Sequence, residues 1–179
     1  MRVLGRGGLA AVTHRAVAKE AGVSLGVVTY RHPTIDGLLD AALRHFCAAE
    51  LAQLEALARS LSQQAFDADA WAGAFARAMA SRISSGIEDE LAGFELMLDA
   101  ARRPRLRKPM RETHLAYQRI ASLALAAAGS RAPDALAPIL TAAITGLELH
   151  ELSDPQPRFE QRLAHALRAI VVGLVATER

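Results

Sequence analysis

Apolar residues fall at helical spacing along almost the whole chain, and no stretch alternates as a strand would. After Thr13, a cap-type residue, Val17, Ala18 and Ala21 mark a short helix. Gly22 interrupts it, where a residue free to take positive φ can turn the chain sharply. Ser24 opens a second short helix, which Pro33 and Thr34 break. Thr34 caps a third, with Asp36 facing the positive end of its dipole and Leu38, Leu39, Ala42 and Leu43 on its apolar face. Two helices joined by a tight glycine-bearing turn predict a helix-turn-helix within residues 13–43.

The rest of the chain reads as longer helices. Leu43, Phe46, Cys47, Leu51, Leu54, Leu57 and Leu61 predict a long amphipathic helix running out of the N-terminal unit. Asp67 and Asp69 open a helix through Trp71, Phe75, Met79 and Ile83, which Ser84, Ser85 and Gly86 end. Glu88, Asp89 and Glu90 start the next, with Leu91, Phe94, Met97, Leu98 and Ala101 on its apolar face before Pro104. A further helix spans about residues 110–128 and carries His114 and Tyr117. Another follows Pro133, and the last runs over residues 159–176, after the break at Asp154-Pro155-Gln156-Pro157. The expected fold class is all-α.

Composition narrows this picture. The chain has 179 residues, 51% of them hydrophobic but only 4% aromatic, so alanine and leucine must build the core. That composition favours helix. The single cysteine, Cys47, excludes an intramolecular disulfide framework and a cysteine-based zinc site. The start lacks the long hydrophobic region of a signal peptide. The most apolar late stretch, residues 169–176, is too short to span a bilayer. A cytoplasmic protein without a membrane partner is expected.

Net charge is +2, but bases outnumber acids six to three up to Phe46. A second basic cluster, Arg102, Arg103, Arg105, Arg107, Lys108 and Arg111, surrounds Pro104 and Pro109. It fits either a phosphate-contacting patch or a solvated turn with cations near a helix C-terminus. The sequence holds no HExxH, no Walker loop and no GxSxG, and no two histidines sit at i, i+3 or i, i+4. Neither enzyme chemistry nor a metal or cofactor is expected.

The residues Thr13, Val17-Ala18, Ala21-Gly22-Val23-Ser24, Gly26, Thr29-Tyr30, Pro33 and Leu38-Leu39 resemble the DNA-binding domain of the TetR family of transcriptional regulators. The close likeness covers about a quarter of the chain. Arg31-His32 stands where the family usually has a His-Phe pair, and Ile35 where it often has lysine. The family also carries a full first helix, whereas only residues 1–6 precede Gly7-Gly8, so that helix is expected to be truncated.

The resemblance implies a DNA-binding domain at residues 1–46 and a helical ligand-binding and dimerisation domain at residues 47–179. It implies a one-component regulator, a ligand-responsive repressor that binds a palindromic operator in double-stranded DNA as a homodimer. The competing expectation is a clipped helical dimer that binds a ligand or protein partner but not DNA. The recognition helix of the DNA-binding site is expected to start near Ser24, with Leu25, Gly26, Val27 and Thr29 facing the major groove and Tyr30, Arg31 and His32 touching phosphates. Thr13, His14 and Arg15 open the preceding helix and are expected to meet the DNA backbone. Trp71, Phe75, Met79, Phe94, Met97, Leu98, His114 and Tyr117 are candidates to line a cavity for a mostly apolar small-molecule effector, although such residues at helical spacing also fit plain core. Ile139, Leu140, Ala143, Ile144, Leu147, Leu163, Leu167, Ile170 and Leu174 are expected at a two-fold interface, because the last two helices have broad apolar faces.

Overall fold

The computed structural model describes residues 1–61 and 67–178. Among these the backbone forms eight α-helices, one 3-10 turn and no strand. The helices are α1 (Arg2–Ala11), α2 (His14–Ala21), α3 (Leu25–Arg31), α4 (Ile35–Leu61), α5 (Ala68–Arg102), α6 (Arg107–Ala127), α7 (Pro133–Ser153) and α8 (Phe159–Ala176). Leu54, Leu57 and Leu61, expected on the apolar face of α4, fall outside the described side chains.

Two breaks expected from glycine are softer than the sequence suggests. The pair Gly7-Gly8 does not end α1. Helix lies on both sides of Gly8, which takes φ 66° and ψ −174°, a conformation open essentially to glycine alone. α1 is therefore longer than residues 1–6 and buries Leu4. Likewise Gly86 is non-helical within α5, yet helix resumes at once on its far side.

The chain forms two compact units. The first contains Met1–Glu50 and Gly86–Thr113, the second Leu51–Ser85 and His114–Arg179. The units are drawn differently from a single division after residue 46, because the second half of α5 and the start of α6 join the N-terminal helices.

In the first unit Leu4, Val12, Leu39, Leu43, Cys47, Ala92, Leu96, Ala100, Leu106 and Met110 make one apolar core. Burial pushes the Cys47 thiol up from its ordinary pKa, as expected of a small packed hydrophobe. α1 approaches α5 so closely that a Cβ on Gly5 would lie 1.8 Å from the Glu88 carbonyl oxygen. Arg6 fixes the approach by binding Glu88 at 3.1 Å and Glu20 at 3.0 Å, and Arg2 binds Glu20 as well. These hydrogen bonds raise the Arg6 pKa, chiefly through Glu88, and lower that of Glu20, chiefly through Arg2.

The second unit is built on small residues. Ala72, Ala76, Ala121, Ala124 and Ala137 let helices pack closely around Trp71, Met79, Leu125, Leu140, Leu163, Leu167 and Val171. Glu178 reaches the start of α7, where its carboxylate accepts hydrogen bonds from the Arg131 and Ala132 amides, both at 2.9 Å, and from the Ser130 hydroxyl at 3.0 Å. Those bonds, the Arg131 amide foremost, hold its carboxyl below the usual pKa.

The structure corrects part of the expected interface. Leu140, Leu163 and Leu167 are fully buried inside their own unit, so they are not available to a second chain. Ile144, Leu147, Ile170 and Leu174 pack at the rim of that core. The large apolar side chains left facing outward are Ile139 and Leu149 on α7 and Val172 on α8. α7 is long and apolar enough to cross a bilayer by length and composition, and only 17% of its most apolar window is buried.

Candidate nucleic-acid interface

The turn between α2 and α3 forms as its residues dictate. Thr13 caps α2, its hydroxyl oxygen accepting from the Ala16 amide at 3.1 Å. Gly22 ends α2 in the left-handed region, φ 66° and ψ 28°, and the Val23 amide closes back on the Ala18 carbonyl at 3.0 Å. Ser24 then caps α3 by accepting from the Val27 amide at 3.4 Å, and Thr34 caps α4 through the Gly37 amide at 3.0 Å. Ala18 and Val28 are the buried contacts of the two short helices.

This leaves one face of α3 in solvent. Leu25 and Val27 are exposed, and Tyr30 is 89% exposed. Gly26 lies between them, and a Cβ there would meet only the Ser24 hydroxyl at 3.9 Å. Thr29 is half-buried and donates its hydroxyl proton back to the Leu25 and Gly26 carbonyls at 3.1 and 3.3 Å. Arg31 is exposed at the end of α3, as are Thr13 and Arg15 at the start of α2.

His14 and His32 do something the sequence gives no sign of. The His14 Nε2–H donates to the His32 carbonyl at 2.6 Å, tying the start of α2 to the end of α3. The carbonyl can only accept, so this nitrogen carries the proton. His14 thus orients the two helices instead of simply pointing outward. A second hidden link is Arg103. It binds Asp99 at 2.7 Å and also Asp36 in the first turn of α4, and both hydrogen bonds raise its pKa, that to Asp36 most.

The effector candidates divide between the units. Trp71, Phe75, Met79, His114 and Tyr117 belong to the second, Phe94, Met97 and Leu98 to the first. Trp71 and Phe75 stack obliquely with ring centroids 5.6 Å apart, and with Met79 they share one face of α5 in the alanine-rich core. His114 is exposed and Tyr117 half-buried. Met97 packs on the first unit's core, Phe94 is half-buried, and Leu98 is 61% exposed. Among the described residues no group of three or more His, Cys, Asp or Glu side chains is placed to hold a metal ion.

Comparison with known proteins agrees with this geometry. The model for bacterial regulatory proteins of the tetR family matches residues 1–42, and the model for a tetracyclin repressor-like C-terminal domain matches residues 66–177. Among curated proteins nothing matches. Among solved structures, a TetR family member from Streptomyces coelicolor A3 is 30% identical, with a TM-score of 0.73 over 94% of this chain and 91% of that one. The multidrug binding protein EbrR complexed with imidazole is also 30% identical, with a TM-score of 0.69 over 94% of this chain and 88% of that one. EbrR complexed with ethidium is 31% identical, with a TM-score of 0.62 over 94% and 92%. With both halves of the chain matched in order, and a helix-turn-helix whose caps and turn are formed as described, the chain belongs to the TetR family of bacterial regulatory proteins.

Proposed function

We propose that this chain is a ligand-responsive transcriptional repressor that binds a palindromic operator as a homodimer, with α3 in the major groove. The observation that carries the reading is Gly26. Inside the chain only the Ser24 hydroxyl, at 3.9 Å, comes near the space a side chain would fill there, and glycine is a poor helix residue. Its use between exposed Leu25 and Val27 fits close approach to an external surface, with apolar side chains meeting thymine methyls. Tyr30, Arg31 and the start of α2 supply the backbone contacts. The direct test is duplex binding over a salt series. Affinity that falls steeply and log-linearly with salt supports the reading. Affinity that ignores salt removes it.

For the homodimer, the outward apolar residues Ile139, Leu149 and Val172 support pairing of α7 and α8 across a two-fold axis. Gly146 and Gly173 have open space where a Cβ would stand, which suits close helix approach. The effector is mostly apolar and aromatic. Its support is the Trp71–Phe75–Met79 face and the complexes of the similar protein EbrR with imidazole and ethidium. Trp71 is the chain's single tryptophan, so its fluorescence reports directly on that face. Saturable quenching by ethidium, accompanied by release of bound duplex, is the expected result. A ligand that quenches but leaves duplex affinity unchanged binds both states equally and is no effector.

A further inference from the structure

Residues 100–111 carry six cations and no acid. The segment is the end of α5, the 3-10 turn Pro104–Leu106 and the start of α6, and it belongs to the same compact unit as α1, α2 and α3. It is firmly seated, since Leu106 and Met110 are buried in the core with Leu39 and Leu43. Arg103 pairs with Asp36 and Asp99. Arg102, Arg107, Lys108 and Arg111 stay exposed. Lys108 meets Glu112 only at 4.0 Å, with both side chains largely solvated, a contact of little strength.

The position of this turn follows from two bonds. Arg103 holds it against the first turn of α4, and the His14–His32 bond holds the start of α2 against the end of α3. Since α4 begins four residues after α3 ends, the starts of α2 and α4, the end of α3 and the basic turn share one corner. Both helix starts present the positive end of their dipoles. Exposed Arg15 and Arg31 belong to the same corner. Of the acids beside the turn, Asp36 and Asp99 are bound by Arg103, and Glu112 lies 4.0 Å from Lys108. What remains outward at this corner is mainly positive, beside the helix that enters the groove.

We propose that the turn at residues 102–108 is a second duplex-binding surface that contacts backbone phosphates flanking the groove occupied by α3. It rests on the DNA-binding reading above. Its contacts add affinity and fix orientation, but they read no bases. A duplex fits better than an acidic protein because the same corner carries the helix-turn-helix and two helix starts suited to anions.

The test uses the full chain and a mixed-sequence duplex, measuring log affinity against log salt. Arg102→Gln with Lys108→Gln is compared with a charge-matched pair in the other unit, Arg77→Gln with Arg119→Gln. Each phosphate that no longer meets a cation should flatten the slope by about 0.9. The turn variant should therefore flatten by about one to two, and the control should keep the wild-type slope. The charge-preserving pair Arg102→Lys with Lys108→Arg should also match wild type, which separates charge from folding. Identical slopes in the turn variant and the control overturn the proposal while leaving DNA binding by α3 intact. Failure of the wild-type chain to bind duplex in a salt-dependent way overturns both.

Discussion

α3 and the last two helices both leave large apolar side chains in solvent, and they differ in everything around those side chains. On α3 the exposed Leu25, Val27 and Tyr30 stand on a seven-residue helix, capped by Ser24 and ending in Arg31. On α7 and α8 the exposed Ile139, Leu149 and Val172 stand on helices of 21 and 18 residues. A short capped helix among cations, backed by helix dipoles, suits a polyanion with apolar spots such as thymine methyls. A pair of long helices with open glycine positions suits another pair like itself. Apolar exposure alone therefore does not name the partner; the surrounding charge and the helix length do.

That contrast can be broken at several points. The largest effect should come from confusing the inner and outer faces of the last helices. Leu167→Glu puts a charge in a fully buried site and should cost several kcal/mol, unfolding the second unit in thermal melts. Ile139→Glu, on the outer face, should keep the melting temperature and yield monomers in sedimentation. A well-folded dimer from Ile139→Glu would place the interface elsewhere.

Next in size is Gly5→Ala. Its Cβ would collide with the Glu88 backbone, and forced overpacking of this kind costs about 1–3 kcal/mol. The helix-turn-helix should lose stability together with the stretch around residue 88, as amide exchange would show. Gly26→Ala should act in the opposite sense. It should leave stability unchanged or raise it by up to about 1 kcal/mol, while duplex affinity falls. Retained affinity would mean that α3 does not approach DNA closely at Gly26.

The smallest effect concerns Glu178. Its folded pKa is lowered, so its contribution is fully present above the ordinary carboxylate value and is lost as pH falls through the lowered one. Glu178→Gln should melt lower than wild type near neutral pH, and the difference should vanish in acid. A difference that persists in acid would assign the stabilisation to something other than the charge.

Local chemistry was legible in the sequence. The caps at Thr13, Ser24 and Thr34 and the turn at Gly22 involve partners within a few residues, so residue type and spacing were enough. The broad apolar faces of α7 and α8 were legible as well, but not which side of each faces inward. Leu140, Leu163 and Leu167 fit an interface by spacing and belong to the core by packing. The links between Gly5 and Glu88, His14 and His32, and Asp36 and Arg103 left no trace, since each joins residues far apart in sequence and no local pattern demands them. The division of the effector candidates between two units was hidden for the same reason. Helical periodicity says that Trp71 and Phe94 are apolar-face residues; it does not say which core each face meets.

The closeness of α1 to Glu88 also bears on synthesis. Leu4, Val12, Leu39 and Leu43 share a core with Ala92, Leu96, Leu106 and Met110, so the helix-turn-helix cannot complete its packing until the chain has been made past residue 110. At ribosomal speeds of about 5–20 residues per second the nascent α2 and α3 wait several seconds, roughly, for their supporting wall. Pairings of high sequence separation also close slowly. A ribosome-bound chain stalled near residue 60 should carry α3 without a DNA-competent fold, and competence should arise abruptly once α6 has begun to emerge. Production of the regulator is thereby ordered in time: the helix-turn-helix is not finished before the Leu51–Ser85 segment of the second unit has been made.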